Sequence, residues 1–328
     1  MSVDDERDGV PLTNLDQPLF AGAEATKRDL VDYLDAVADR FVPHLAGRPL
    51  SVVRVLRGQK PFMQKNVRNP PPWMRTVEVW AETSRRAVSY ALCDDRRTLL
   101  WFANQRAVEY HSPLARADAP GRPTHLVLDI DPPDGAAFGA AVAAARLVRR
   151  ALADAGLDGA VKTSGAKGVH VFVPLDGRAA TEDAAAATRA LAARAERLDP
   201  ALATTAFIRE DRGGRVFLDS TRAGSATVVA AYSPRVRPGA PVSFPVPWDE
   251  LDRVGSDGAG PGAFTLHTVP RLLAGRDPWT ELMPPPQPLP TDLVAEGHTI
   301  PVARVQAMHE GKRRANLRSK QAPDDPQS

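Results

Sequence analysis

His-Leu-Val-Leu-Asp-Ile-Asp, residues His125–Asp131, followed at once by Pro132-Pro133, carries more structural information than any other stretch of the chain. Leu126, Val127 and Leu128 predict a short buried strand with two carboxylates at its C-terminal end. Side chains alternate faces along a strand, so Asp129 and Asp131 project together while Ile130 turns back into the core. Pro132 has no backbone N–H and ends the ladder, leaving both carboxylates at the open end of a sheet. Two like charges side by side raise each other's pKa unless a cation lies between them. An all-oxygen donor pair suits a hard divalent ion, Mg²⁺ or Mn²⁺. The same pair also fits plain strand-end carboxylates, so its meaning depends on the rest of the chain.

Downstream, Lys162-Thr163-Ser164-Gly165-Ala166-Lys167-Gly168-Val169-His170 places two glycines in a turn between strands Val161–Ser164 and Val169–Pro174. Glycine lets a backbone bend tightly and present its N–H groups. Ser164 adds a hydroxyl, Lys167 a point charge suited to phosphate, and His170 a ring donor. The spacing is not that of a Walker loop, and a strand follows where a helix would be needed. A third segment, Arg215-Val216-Phe217-Leu218-Asp219, again ends an apolar strand in a carboxylate. Three acids make up the ligand set of a two-metal site for in-line displacement at phosphorus. Arg212, Arg235 and Arg237 lie within reach in sequence to hold a polyphosphate bidentately.

Around these segments, helices are expected at Thr26–Phe41 with Thr26 as N-cap and Pro43 at the end. Two more are expected at Phe138–Ala155 and at Thr181–Leu198, the latter with Thr181 as N-cap. Strands are expected at Leu50–Leu56 and Ala226–Tyr232, and strand or short-helix material at 76–80, 87–92 and 99–104. Strands alternating with helices predict an α/β (α+β) fold of mixed β-sheets flanked by helices. The loop Arg57–Lys65 interleaves basic residues with Phe62. With Arg54, Lys60 and Lys65 it suits a phosphate backbone and a stacked base, and equally a solvated hairpin tip.

Composition bounds the class without naming a partner. The 328 residues hold 42 Lys and Arg against 40 Asp and Glu, so any nucleic-acid surface must come from local clustering. One cysteine, Cys93, precludes an internal disulfide and a cysteine-based zinc site, and it sits in an apolar run expected in the core. No apolar run reaches the roughly 20 residues of a membrane span. Residues 1–11 read as a disordered acidic tail and 12–255 as the main α/β domain, with parts 12–120 and 121–255. Residues 256–290 read as a C-terminal helix and Pro-rich segment, and 291–328 as a basic tail.

Taken in order, L-V-L-D-I-D-P, T-S-G-A-K-G-V-H-V-F-V-P-L, R-V-F-L-D and A-A-Y-S-P-R-V-R-P-G-A-P-V resemble the polymerase domain of bacterial ligase D. That domain belongs to the archaeo-eukaryotic primase superfamily. L-T-N-L-D-Q-P-L-F, T-K-R-D-L-V-D-Y, P-H-L-A-G-R-P and L-L-W-F-A-N-Q-R-A-V-E-Y-H fit the same pattern, so the resemblance spans roughly Leu12 to Leu251. It implies a primase-like catalytic core in which Asp129, Asp131 and Asp219 bind two Mg²⁺ or Mn²⁺ ions and His111 is the active-site histidine. It further implies that Ser164, Gly165, Lys167, Gly168 and His170 bind nucleotide, with Arg212, Arg235 and Arg237 around the triphosphate and template. The implied activity is primer extension with NTP or dNTP, often with ribonucleotides preferred, in nonhomologous end joining. The implied partners are DNA, Ku and a separate ligase, in the bacterial cytoplasm. No ligase or nuclease segment is recognised, which reads as a stand-alone form.

Two departures stand out: Val53 falls where the family carries a lysine for a 5′-phosphate, and Ser220-Thr221-Arg222 replaces an aromatic and an amide after Asp219. The competing readings are a DNA-end-binding or bridging module of the same fold without catalysis, and a phosphatase with an aspartyl nucleophile. The latter leaves the second and third segments without a role.

Overall fold

The structure is a computed structural model that describes residues 3–81, 85–223, 226–256 and 260–302. It opens with a hairpin, β1 (Asp5–Arg7) and β2 (Val10–Leu12), then the 19-residue helix α1 (Lys27–Leu45). Next come β3 (Ser51–Arg54), β4 (Phe62–Gln64), the hairpin β5 (Thr76–Ala81) and β6 (Arg86–Ala91), α2 (Arg96–Asn104) and β7 (Ala107–Pro113). The second half runs β8 (His125–Asp131), α3 (Phe138–Asp154), β9 (Ala160–Thr163), β10 (Val169–Pro174) and α4 (Thr181–Leu198). It continues with β11 (Ala203–Thr204), β12 (Val216–Asp219), β13 (Thr227–Val229) and β14 (Pro245–Val246). Four helices close the described chain: α5 (Leu251–Ser256), α6 (Val269–Leu273), α7 (Pro278–Leu282) and α8 (Thr291–Thr299).

Two sheets carry the architecture. A six-stranded sheet has the order β11-β12-β8-β10-β9-β14, antiparallel throughout except for the parallel pair β11/β12. A four-stranded sheet has the order β13-β7-β3-β4. The expected mixed sheets with flanking helices are therefore present. Leu126, Leu128 and Ile130 of β8 are fully buried, and α3 and α4 both pack against this strand. Alternation then leaves His125, Val127, Asp129 and Asp131 on the opposite face. At the start of β8 that face is closed by aromatic packing. The Phe172 ring lies edge-on to His125 at 5.9 Å and to Trp279 of α7 at 5.2 Å.

Several expectations are corrected. The acidic N-terminus is not disordered from residue 3 onward. Arg7 pairs with Asp32 at 2.7 Å and Asp35 at 3.1 Å on α1, and Val10 and Leu12 are buried. Pro43 lies inside the last turn of α1, where only one backbone donor is lost. Thr26 does form a reciprocal capping box with Asp29, whereas Thr181 is the first helical residue of α4, after Ala180, and makes no cap hydrogen bond. The strand expected at 226–232 is only Thr227–Val229, since Tyr232 takes a left-handed backbone with φ of 69°. The basic loop is partly strand, with Phe62–Gln64 paired to Val52–Arg54.

Residues 291–299 are not tail but helix. Arg194 and Arg197 of α4 hold Glu296 at 2.6 and 3.0 Å, His298 meets Asp183 at 2.8 Å, and Gly297 sits flush on the Ala186 backbone. The basic run Lys312–Lys320 lies outside the described residues.

Candidate active site

Antiparallel register sets four side chains in one line across four neighbouring strands. Asp219 of β12 stands opposite Asp129 of β8, Asp129 opposite His170 of β10, and His170 opposite Lys162 of β9. Directly opposed residues put their Cβ atoms roughly 5 Å apart on the same face. Asp131, two residues beyond Asp129, joins that face at the sheet's open end. Three carboxylates far apart in sequence thus share one surface.

Their electrostatics differ. Burial disfavours the Asp129 charge, but His170, Arg222 and Lys162 outweigh it and hold the carboxyl down to about 2. His170, expected to bind nucleotide, is buried with both ring nitrogens turned to protein groups, Nε2 3.2 Å from Asp129 Oδ1 and Nδ1 2.9 Å from Lys162 Nζ. The Arg222 guanidinium spans the line, its Nε 3.2 Å from Asp129 Oδ2 and 3.4 Å from Asp219 Oδ2. Asp219 Oδ1 accepts from the Thr221 N–H at 2.8 Å and from its hydroxyl at 2.6 Å. Asp131 is pushed up to about 6 by partial burial and by the Asp129 and Asp219 charges. Among the described residues no group of three or more His, Cys, Asp and Glu side chains is set as a ready metal cage. In this structure Arg222 is the cation shared by Asp129 and Asp219. The donor set nonetheless fits a hard divalent ion, because the Asp131 carboxyl faces two like charges whose repulsion such an ion would relieve.

The glycine turn packs as its sequence requires. Gly168 passes so close to the Ile130 carbonyl that any Cβ there would collide with it. Gly165, at φ of 67°, is pressed on the Arg235 stem and the Ser243 backbone. The Ser164 hydroxyl accepts from the Ala166 and Gly168 N–H groups, both at 3.2 Å. Lys167 reaches over the open end to Asp134 at 3.0 Å, and Arg209 binds the same carboxylate. Asp131, Lys167, Arg209, Arg212 and Arg215 line a cavity of about 470 Å³ beside the carboxylates. Arg212 lies 3.7 Å over the Phe217 ring, with its guanidinium on the Ala206 and Phe207 carbonyls at 3.2 Å.

His111 contacts the glycine turn through a relay. Its Nε2 lies 2.9 Å from Glu109, Glu109 lies 3.2 Å from Arg235 Nε, and Arg235 donates to the Ser164 carbonyl. Burial opposes the Glu109 charge, yet His111, Arg235 and the Val236 N–H hold that carboxyl down to about 2. Arg235 and Arg237 part company here. Arg237 lines a separate cavity of about 650 Å³ with Gln17, Arg57 and Arg106. Arg54 is engaged within the protein, bonding the Gln105 carbonyl and the Gln64 side chain, both at 2.8 Å, so it is not a free DNA contact. Lys60, Phe62 and Lys65 are exposed.

Glu109, Asp134 and Lys162 were not singled out by the sequence, and Arg222 only as a departure. Glu109 was findable in principle, two residues before His111. The others gain meaning only from cross-strand register and loop placement.

The sequence matches the family described as LigD, primase-polymerase domain, over residues 26–279. It is 37% identical over 255 residues to the multifunctional non-homologous end joining DNA repair protein LigD of Mycobacterium tuberculosis, covering 74% of this chain and 33% of that protein. It is 32% identical over 261 residues to the bifunctional non-homologous end joining protein LigD of Bacillus subtilis, covering 78% of this chain and 41% of that one. The structure superposes on the polymerase domain of Mycobacterium tuberculosis ligase D, solved in complex with DNA, with a TM-score of 0.75 and 34% identity. That match covers 83% of this chain and 96% of the other. The chain thus spans a third of the mycobacterial protein's length.

Proposed function

Because the chain belongs to the LigD primase-polymerase domain family, we propose that it is a nucleotidyltransferase that extends a primer 3′-OH during repair of broken DNA by nonhomologous end joining. The observation that carries this reading is the convergence of Asp129, Asp131 and Asp219 on one face, beside a cavity rimmed by Lys167 and Arg212.

Asp129, Asp131 and Asp219 would hold two Mg²⁺ or Mn²⁺ ions, which when bound acidify the primer hydroxyl and stabilise the pyrophosphate leaving group. Around them the protein's own groups divide the work. Lys167 and Arg212 offer positive charge to a triphosphate. Ser164 and the two glycines shape the turn against which it lies. Arg235, fixed by Glu109, braces that turn, and His111 anchors Glu109 from the second sheet. Lys60, Phe62 and Lys65 supply charge and a stacking face for the nucleic acid. Cytoplasmic work with Ku and a separate ligase is part of the same proposal, and no helix among the described residues is long and apolar enough to cross a membrane.

The test is primer extension on a gapped, 5′-phosphorylated duplex with Mn²⁺ and either NTPs or dNTPs. Longer products from the wild-type protein, absent with Asp219→Ala, are expected, with NTPs the better substrates. A gel shift without longer products would leave a binding module instead.

A further inference from the structure

Lys162 has no place in the reaction just described, yet it is completely buried at the end of the charged line behind Asp129 and His170. A lysine is almost never fully buried unless its amine is held by specific partners. Here there are two. Nζ lies against Ser243 Oγ, and it lies 2.9 Å from His170 Nδ1. The Ser243 hydroxyl spends its own hydrogen on the Thr163 carbonyl at 2.8 Å, so it can only accept from Lys162.

The other side of the imidazole fixes the remaining proton. His170 Nε2 lies 3.2 Å from Asp129 Oδ1, and the negative charge of that carboxylate, which can only accept, favours the hydrogen on the nitrogen nearest it. Nδ1 is then an acceptor, and the group in front of it is the Lys162 amine. We infer that Lys162 is a positioning residue, whose N–H donated to Nδ1 holds His170 in the Nε2–H tautomer beside Asp129. The inference rests on the nucleotidyltransferase reading only for its purpose. A ring held this way keeps one Asp129 oxygen oriented and leaves the other lone pairs of the carboxylate for a cation, as outer-shell partners do in metal sites.

The test is long-range ¹H–¹⁵N spectroscopy of histidine-labelled protein, with the His170 signals assigned by their loss in His170→Asn. Wild type is expected to show Nε2–H with unprotonated Nδ1. Lys162→Met, which keeps most of the buried stem and removes the donor, is expected to populate Nδ1–H and to bind Mn²⁺ about tenfold more weakly. An Nδ1–H tautomer in wild type would overturn the inference, as would an unchanged tautomer in folded Lys162→Met. If Lys162→Met does not fold, the wild-type spectrum decides alone. Absence of nucleotide addition would remove the functional reading without altering either spectrum.

Discussion

Arg222 supplies the positive charge that Asp129 and Asp219 share, and it does so from a side chain still about one-third exposed. An ion pair at such a site is worth at most about 1 kcal/mol. Arg222→Ala is therefore expected to tighten Mn²⁺ binding about fivefold, measured by the free-ion electron paramagnetic resonance signal; weaker binding would show that Arg222 assists the ion. Asp129→Asn keeps the shape and removes the charge. Loss of several kcal/mol of charge stabilisation predicts roughly a thousandfold slower nucleotide addition with cooperative unfolding retained.

His125, at the far end of the same strand, makes a different prediction. Burial, with Arg48 and His44 nearby, holds its pKa down to about 3, against 6.5 for a free histidine. Between those values the unfolded chain binds a proton that the folded protein refuses, so stability must fall as pH drops from about 6.5 toward 3. Thermal midpoints across that range are expected to decline less steeply for His125→Asn, and an equally steep decline would remove His125 as the cause.

At the scale of elements, the β9–β10 turn is the most constrained piece of the site. A methyl group on Gly168 must displace either the turn or the Ile130 carbonyl of β8. Gly168→Ala is expected to cost about 1–3 kcal/mol by denaturant unfolding and to reduce activity further by shifting Ser164 and Lys167. Wild-type stability and activity together would mean that the close approach is relieved elsewhere.

What was legible in the sequence divides at this scale too. β8, β10, β12, α1, α3 and α4 announced themselves because their apolar periodicity is strong and their ends carry Pro, Gly or acidic residues. The short edge pieces did not. β13 is cut off by the left-handed backbone of Tyr232, and the β1–β2 hairpin is held by Arg7 pairs to α1 that no local pattern reveals. Nor does any local pattern disclose that α8 docks on α4 through Glu296.

Across the whole molecule, the two sheets divide the site between them. The six-stranded sheet carries the carboxylates and the glycine turn, and the four-stranded sheet carries His111 and Glu109, joined to the turn by Arg235. Residue types at strand ends gave the carboxylates away, while the connecting charges, Glu109, Lys162 and Arg222, depend on which strands become neighbours. The pairing of β12 with β8 is the long-range step on which everything else rests, since it alone brings Asp219 to Asp129.

Crystals soaked with Mn²⁺ and a non-hydrolysable nucleoside triphosphate test that step most directly. An anomalous manganese peak is expected about 2–2.5 Å from oxygens of Asp129, Asp131 and Asp219, with Arg222 swung off the carboxylates. A peak elsewhere, or none while Arg222 still bridges Asp129 and Asp219, would contradict that expectation.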